Sequence, residues 1–159
     1  MIKRTYPQTR LRRTRAKSFL RDLIAENNLS ADDLIQPIFI ADQSEDKIEI
    51  PSMPGIHRHN LDSLYLEVEA LIQVGIKSIA IFPAIDAAKK DKDGSYALDE
   101  GNIVCLALTG LAERFPDIIK IADVALDPYT DHGHDGLLIN GRVENDETVK
   151  LLQDQALLL

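Results

Sequence analysis

The chain has 159 residues, 45% apolar and 28% charged, which is typical of one globular domain and excludes a disulfide-dependent miniprotein and a multidomain chain. Its single cysteine, Cys105, excludes an internal disulfide framework and a zinc site built only from cysteines. No run of 18 apolar residues is present, and the basic N-terminus lacks the apolar segment of a secretory signal, so we expect a cytoplasmic protein with no membrane partner.

Charge is distributed unevenly along the chain. The net charge is −8, yet residues 1–21 hold eight of the 18 basic residues and no acid, so the remaining ten basic residues face all 26 acidic ones. The chain is thus a basic arm joined to an acidic body. Three roles are open to such an arm: contact with an acidic protein surface, a solvated tail, or nucleic-acid binding. We favour protein contact and expect no nucleic-acid partner, because only Tyr6 and Phe19 are aromatic in the arm and no nucleic-acid module follows.

The predicted elements alternate after the arm. A short helix is predicted over residues 18–28, and Ser30 with Asp33 indicates a capping turn. Short apolar runs rich in Ile then predict three strands buried on both faces, and each is followed by an amphipathic stretch that predicts a helix. The strands are residues 34–40, 78–83 and 118–126; the helices begin after Asn60, near Gly101 and at Asn145. This order predicts an α/β fold with a parallel sheet.

The connections between these elements are unequal in length. Those from helix to strand are short, at Gly75 and at Pro116, whereas those from strand to helix are long and gather at the carboxyl ends of the strands. The long ones are residues 41–59, 84–100 and 127–144. Within them, we predict an extended pair (48–50 with 55–58) and a hairpin (137–139 with 142–143) about an Asn140–Gly141 turn.

The densest group of polar residues is segment 123–136, which holds four carboxylates and two imidazoles. We predict that Asp123 lies inside the third strand and shares one side of it with Ala125 and Asp127. A carboxylate in an apolar strand needs a cation or hydrogen-bond donors nearby. Oxygen-rich sets favour Mg²⁺ or another hard cation, and the histidines leave zinc open. The alternative is a solvated turn with no ligand.

The other candidates for chemistry are weaker. His57 and His59 can share a face of an extended segment, but we interpret them as surface residues because no partner motif accompanies them. Residues 89–93 are interpreted as a solvated loop, and Cys105 as a core residue. A Schiff-base lysine in an α/β barrel lies near the carboxyl end of a strand in apolar surroundings, and no lysine here meets that description well.

Five segments together resemble one enzyme family, porphobilinogen synthase, also called 5-aminolevulinic acid dehydratase. They are RLRRTR (10–15), LIQPIF (34–39), PSMPG (51–55), AIFP (80–83) and DVALDPYTDHGHDG (123–136). The match is in register across essentially the whole chain and covers about the first half of the family's usual length.

The resemblance implies a fold and an activity. The fold is a TIM (β/α)8 barrel, here about the first three βα units, with residues 1–30 as an N-terminal arm and 31–159 as the barrel portion. The arm wraps a neighbouring subunit, typically in a homo-octamer. The family is a hydro-lyase that condenses two 5-aminolevulinate molecules into porphobilinogen, the pyrrole precursor of haem and other tetrapyrroles. Two lysines on later strands form Schiff bases with the substrates, so we expect these 159 residues to be inactive alone.

The resemblance also assigns site residues. Zinc-dependent members carry cysteines where this chain has Ala125, Asp127 and Asp135, so a zinc site of the cysteine type is not expected. The pattern is similar to the aspartate-rich branch, which relies on Mg²⁺ or another cation. Asp123, Asp127 and Asp135 are then the expected catalytic-site residues in supporting roles, and Asp127 and Asp135 the expected metal ligands. The competing hypothesis is a non-catalytic half-barrel that serves assembly or cation binding.

Overall fold

The structure is a computed structural model that describes residues 4–159 in two compact units, which divide at Ser30. The first unit contains a 3-10 turn (Arg13–Arg15) and helix α1 (Ser18–Leu23), neither of which has a buried residue. Helix α1 ends at Leu23 instead of the predicted Asn28. No side chain caps its first turn and none is buried, so nothing stabilises further turns. No described helix has the length and apolarity that crossing a membrane requires.

A five-stranded sheet organises the second unit, Ala31–Leu159. Its strands are β1 (Gln36–Ile40), β2 (Lys47–Glu49), β3 (His57–His59), β4 (Ser78–Pro83) and β5 (Ile119–Ala122), in the order β2-β3-β1-β4-β5. Strands β1, β4 and β5 are parallel neighbours, which confirms the predicted parallel α/β fold. The extended pair predicted in the first connection is also confirmed: β2 and β3 are antiparallel, and β3 adds to the sheet parallel to β1.

Three helices follow the strands as predicted: α2 (Leu61–Gln73), α3 (Ile103–Arg114) and α4 (Asn145–Leu158). The Asn60 side chain accepts a hydrogen bond from the Ser63 N–H and thereby caps α2, and Gly75 after this helix has a φ of 88°. Asn102, which is fully buried, accepts from the N–H groups of Val104 and Cys105 at the start of α3. Local sequence signals therefore set these helix boundaries.

The main core lies between one face of the sheet and helices α2 and α3. It contains Ile38 and Ile40 from β1, Ile79 and Ile81 from β4, and Leu64, Val68, Val104, Ala107 and Leu111 from the two helices. On the opposite face, Pro37 is exposed, and Phe39 and Phe82 are half-buried with ring centroids 6.0 Å apart. The prediction that the strands are buried on both faces is therefore wrong for the described chain, because the helices in this core cover one face.

The third strand is shorter than predicted. Strand β5 ends at Ala122, and the chain then turns, with the Leu126 carbonyl accepting hydrogen bonds from the N–H groups of Tyr129 and Thr130. Leu126 is buried in a second small cluster with Ala97 and Tyr129. Asp123 is exposed and lies outside the strand, so its predicted position within the strand is wrong. The apolar run continues past the strand because its last residues pack in a different cluster.

The predicted hairpin in the third connection is confirmed. It consists of β6 (Leu138–Ile139) and β7 (Arg142–Val143), which pair antiparallel. Asn140 and Gly141 join them with φ angles of 51° and 76°, the left-handed backbone that an Asn–Gly turn adopts readily. This hairpin leads directly into α4 and keeps the third connection compact.

Candidate functional site

The long connections meet at one edge of the sheet. Because β1, β4 and β5 are parallel, the segments that follow them leave from the same end of the molecule. An open cleft of about 440 Å³ lies there, and each of these connections contributes to its wall. Its polar lining residues are Asp42, Gln43, Arg58, Asp86 and Lys90, and Pro128 comes from the third connection.

Lys89 links the first two connections across this edge. Its ammonium lies 2.6 Å from Asp42 Oδ2 and 3.2 Å from the Tyr96 hydroxyl oxygen, and 5.0 Å from the Tyr96 ring centroid. Hydrogen bonding to Asp42 and then to Tyr96 raises the pKa of Lys89, so this side chain stays protonated. Lys89, Lys92 and Asp93 are exposed, in agreement with the predicted solvated loop, and the contacts of Lys89 tie this loop to the first connection.

The three predicted aspartates are exposed side chains close enough for their charges to interact. Asp123 directly follows β5, and Asp135 Oδ1 accepts a hydrogen bond from the Leu126 N–H at 2.7 Å. Desolvation, and then the negative charges of Asp135 and Asp123, raise the pKa of Asp127, while the Lys90 cation opposes this effect. The prediction that Asp123, Ala125 and Asp127 share one side of a strand is wrong, because Ala125 is buried while both aspartates are exposed. The turn after β5, and not strand alternation, brings the aspartates close together.

The histidines of segment 123–136 stabilise the third connection. The His134 N–H donates to His132 Nδ1 at 3.1 Å, and His132 Nε2 lies 3.2 Å from the Lys92 carbonyl oxygen in the second connection. Backbone hydrogen bonds between Asp91 and residues 129–131 join the same two loops. Within residues 4–159, no three His, Cys, Asp or Glu side chains are arranged to hold a metal ion. A cation at this edge would thus need water among its ligands.

Gln155 is a positioning residue that sequence reasoning missed. It is fully buried on α4, and its Nε2 donates to the Ala125 carbonyl oxygen at 3.1 Å, so it fixes the segment between Asp123 and Asp127. Its Oε1 has no hydrogen-bond partner among the described residues. One sequence signal could have indicated this burial. Gln155 follows Leu151 by four residues and Leu152 by three, so it shares the helix face of these half-buried side chains.

Arg58 and Lys90, which line the cleft, were also missed. The surface interpretation of His57 and His59 is wrong for His59, which is only 7% exposed. Strand β3 lies between β2 and β1, and α2 follows it directly, so the side chain is covered. Its Nδ1 lies 3.1 Å from Ser63 Oγ. Burial lowers the pKa of His59, so this imidazole is neutral at pH 7.

Comparison with known proteins agrees with these observations. The family model described as delta-aminolevulinic acid dehydratase matches residues 8–159. Enzymes of that name from Chlamydia pneumoniae and Bradyrhizobium diazoefficiens are 44% and 43% identical to the chain over 149 residues, which is 94% of the chain and 45% and 42% of these relatives.

A solved structure gives the same result. The crystal structure of the Toxoplasma gondii enzyme in complex with its reaction product porphobilinogen matches 95% of this chain and 43% of that one, with a TM-score of 0.89 and 38% identity. The chain thus spans less than half the length of the relatives described here. The resemblance predicted from the five sequence segments is confirmed, and the chain belongs to the delta-aminolevulinic acid dehydratase family.

Proposed function

We propose that this chain serves porphobilinogen synthesis, the condensation of two 5-aminolevulinate molecules with loss of water. The observation that carries the proposal is the likeness, over 95% of the chain, to an enzyme whose structure holds porphobilinogen. The cleft at the carboxyl edge of the sheet supports it, since α/β enzymes bind their substrates at this edge. The chain would contribute the aspartate-bearing part of that site.

The reaction also needs two Schiff-base lysines, which we propose lie outside these 159 residues. Three lysines near the sheet have other partners: Lys77 pairs with Asp32 at 2.8 Å, Lys120 donates to the Phe115 carbonyl oxygen at 2.9 Å, and Lys89 pairs with Asp42. A Schiff-base lysine needs an apolar setting that lowers its pKa, whereas the carboxylate of Asp42 favours the charged form of Lys89.

Asp127 is proposed to support the reaction by binding the cation or water and by polarising groups of the substrate. Its charge interacts with those of Asp135 and Asp123, which supports a site that the three carboxylates share. Asp135 holds the turn that carries Asp127 through its bond to the Leu126 N–H, and Gln155 holds the same turn from α4. Asp123, which directly follows β5, adds negative charge next to Asp127.

We further propose Mg²⁺ as the cation of this site, held by Asp127 and Asp135. Mg²⁺ keeps several waters and binds through one or two carboxylates, which fits this group of three exposed carboxylates. Desolvation and then the charges of Asp135 and Asp123 raise the pKa of Asp127, and a divalent cation would relieve the repulsion between these charges. When bound, Mg²⁺ would polarise substrate oxygen atoms.

The basic arm is proposed to mediate assembly of a cytoplasmic homo-octamer. The first unit exposes large apolar side chains next to its arginines: Tyr6 is 96%, Leu11 74% and Phe19 60% exposed. Exposed apolar side chains beside cationic ones favour contact with the surface of another protein over exposure to solvent.

Activity measurements on two proteins test the function. The chain alone should form no porphobilinogen, whereas a chimera that continues it with the second half of the Chlamydia pneumoniae relative should form it in the presence of Mg²⁺. Replacing Asp127 and Asp135 by Ala in the chimera should abolish turnover, and the exposed Asp154→Ala on α4 serves as the matched control. Turnover by the chain alone would contradict the assignment of the lysines. A folded but inactive chimera would favour the non-catalytic alternative.

A further inference from the structure

The four histidines of the chain form two His-x-His pairs with different surroundings. His57 and His59 lie on β3, where residues two apart point to the same face, and their ring centroids are 6.3 Å apart. They line a cavity of about 260 Å³ together with Glu67 of α2. Across the antiparallel pair, Glu49 lies opposite His57 and Lys47 opposite His59.

The hydrogen bonds around His59 define its tautomer. The Ser63 hydroxyl donates to the Asp46 carbonyl oxygen, which can only accept, so the hydroxyl proton is directed there. Ser63 Oγ can then only accept from His59 Nδ1, 3.1 Å away, and Nδ1 carries the proton. The Nε2 atom of a neutral imidazole is consequently a bare lone pair. His59, which lines the cavity, therefore has an unprotonated ring nitrogen that can act as a metal ligand.

The second pair does not have this property. His132 Nδ1 accepts from the His134 N–H, and its Nε2 donates to the Lys92 carbonyl oxygen, so both nitrogens of His132 are used. The ring centroids are 5.4 Å apart, closer than in the first pair. The sequence pattern is the same, but the hydrogen bonds leave a free imidazole lone pair on His59 and none on His132.

We propose that His57 and His59 form a two-imidazole binding site for a divalent transition metal such as Ni²⁺, Cu²⁺ or Zn²⁺. Imidazole nitrogen is a preferred ligand of these ions. A ligating histidine generally donates its other ring N–H to an acceptor that fixes the ring, which is what Ser63 does for His59. Glu67 and Glu49 add negative charge around the cavity, against the single cation of Lys47.

Water completes the coordination sphere, since no third His, Cys, Asp or Glu among residues 4–159 joins the pair in a preformed set. The site is separate from the aspartates after β5: β3 lies on the far side of β1 and β4 from that strand. It also does not depend on the proposed synthase activity, because it needs only β2, β3 and α2.

Titration of the full 159-residue chain with Ni²⁺ by isothermal calorimetry tests the site, alongside ¹⁵N NMR of the imidazole nitrogens. We expect one Ni²⁺ bound, broadened signals of His57 and His59, and a protonated Nδ1 on His59 before metal is added. His57→Gln, at the half-buried position, should abolish binding while keeping the fold. The matched control His132→Gln should bind as the unmodified chain does.

A third variant separates orientation from ligation. Ser63→Ala keeps both imidazoles but removes the acceptor of Nδ1, and should weaken Ni²⁺ binding by about 10-fold or more. The proposal is overturned if the unmodified chain binds no Ni²⁺, if His57→Gln binds as tightly as the unmodified chain, or if His132→Gln loses the binding. A protonated Nε2 on His59 would overturn the tautomer on which it depends.

Discussion

Asp91 stabilises the loop after β4 through one carboxylate. Its Oδ1 accepts from the N–H groups of Asp93 and Ser95 at 2.9 and 3.1 Å, and the Ser95 hydroxyl donates to its Oδ2. These bonds, first that of the Ser95 hydroxyl, favour the ionised form and hold the pKa of Asp91 below its ordinary value of 3.8. The turn that directly follows the candidate cleft residue Lys90 is thus stabilised by the ionised carboxylate of Asp91.

The pH dependence of stability should reflect this carboxylate. A group with a lowered pKa in the folded state stabilises the fold above its unfolded pKa, and this contribution is lost as the pH falls through the folded value. The free energy of unfolding should therefore decline below a pH of about 3.8, and this decline should be less steep in Asp91→Asn. At neutral pH, Asp91→Asn should be about 1 kcal/mol less stable than the unmodified chain. Urea unfolding between neutral pH and pH 2 measures both, with Asp93→Asn as control. Identical curves for Asp91→Asn and the unmodified chain would contradict the prediction.

At the scale of elements, Gly110 determines how closely α2 and α3 approach. A Cβ atom added there would lie 2.0 Å from the Tyr65 hydroxyl oxygen of α2. Arg114, one turn after Gly110 on α3, also contacts the Tyr65 ring, since its guanidinium carbon is 4.1 Å from the ring centroid. The glycine is therefore a packing requirement in the middle of a helix where alanine is intrinsically favoured.

Gly110→Ala should lower stability in spite of the better helix propensity of alanine. We expect a loss of about 1–3 kcal/mol from overpacking, measured by urea unfolding. Thr109→Ala, on the exposed side of the same helix, should be neutral or slightly stabilising. Removing the ring in Gly110→Ala/Tyr65→Leu should recover part of the loss relative to Tyr65→Leu alone. Stabilisation by Gly110→Ala would show that the helices do not approach as described.

Elements with local determinants could be predicted from the sequence. Asn60, Gly75 and the Asn140–Gly141 turn act through hydrogen bonds or backbone angles that their own residues specify, and all were predicted correctly. The end of β5 was predicted wrongly, because an apolar run indicates that residues are buried but not which residues they pack against. Leu126 is buried against Ala97 and Tyr129 and not within the sheet. His59 was misread for the same reason, as its cover comes from elements on either side.

At the scale of the molecule, the position of the candidate site could be predicted from the sequence, whereas the contacts around it could not. Parallel strands bring their carboxyl ends together, so the aspartates after β5 had to lie at that edge. Gln155 meets the Ala125 carbonyl 30 residues earlier in the chain, and Arg58 and Lys90 reach one cleft from different connections. Such contacts depend on the packing of whole elements, and no local pattern in one sequence encodes them.

The uncovered sheet face and its open edge should govern how the chain associates. Strand β5 pairs with β4 alone among the described strands, and its Ile119 and Ile121 are 59% and 40% exposed, on the same face of the sheet as the half-buried Phe82 and Phe39. An apolar edge strand is a template for pairing, and charge on it opposes that pairing.

Light scattering of the chain should therefore give a mass that rises with protein concentration, and Ile121→Lys should shift the chain toward monomer. Ile72→Lys adds the same charge at a position of α2 that is 44% exposed and should change little. A monomer at every concentration, or an equal effect of both substitutions, would mean that the sheet edge does not drive association.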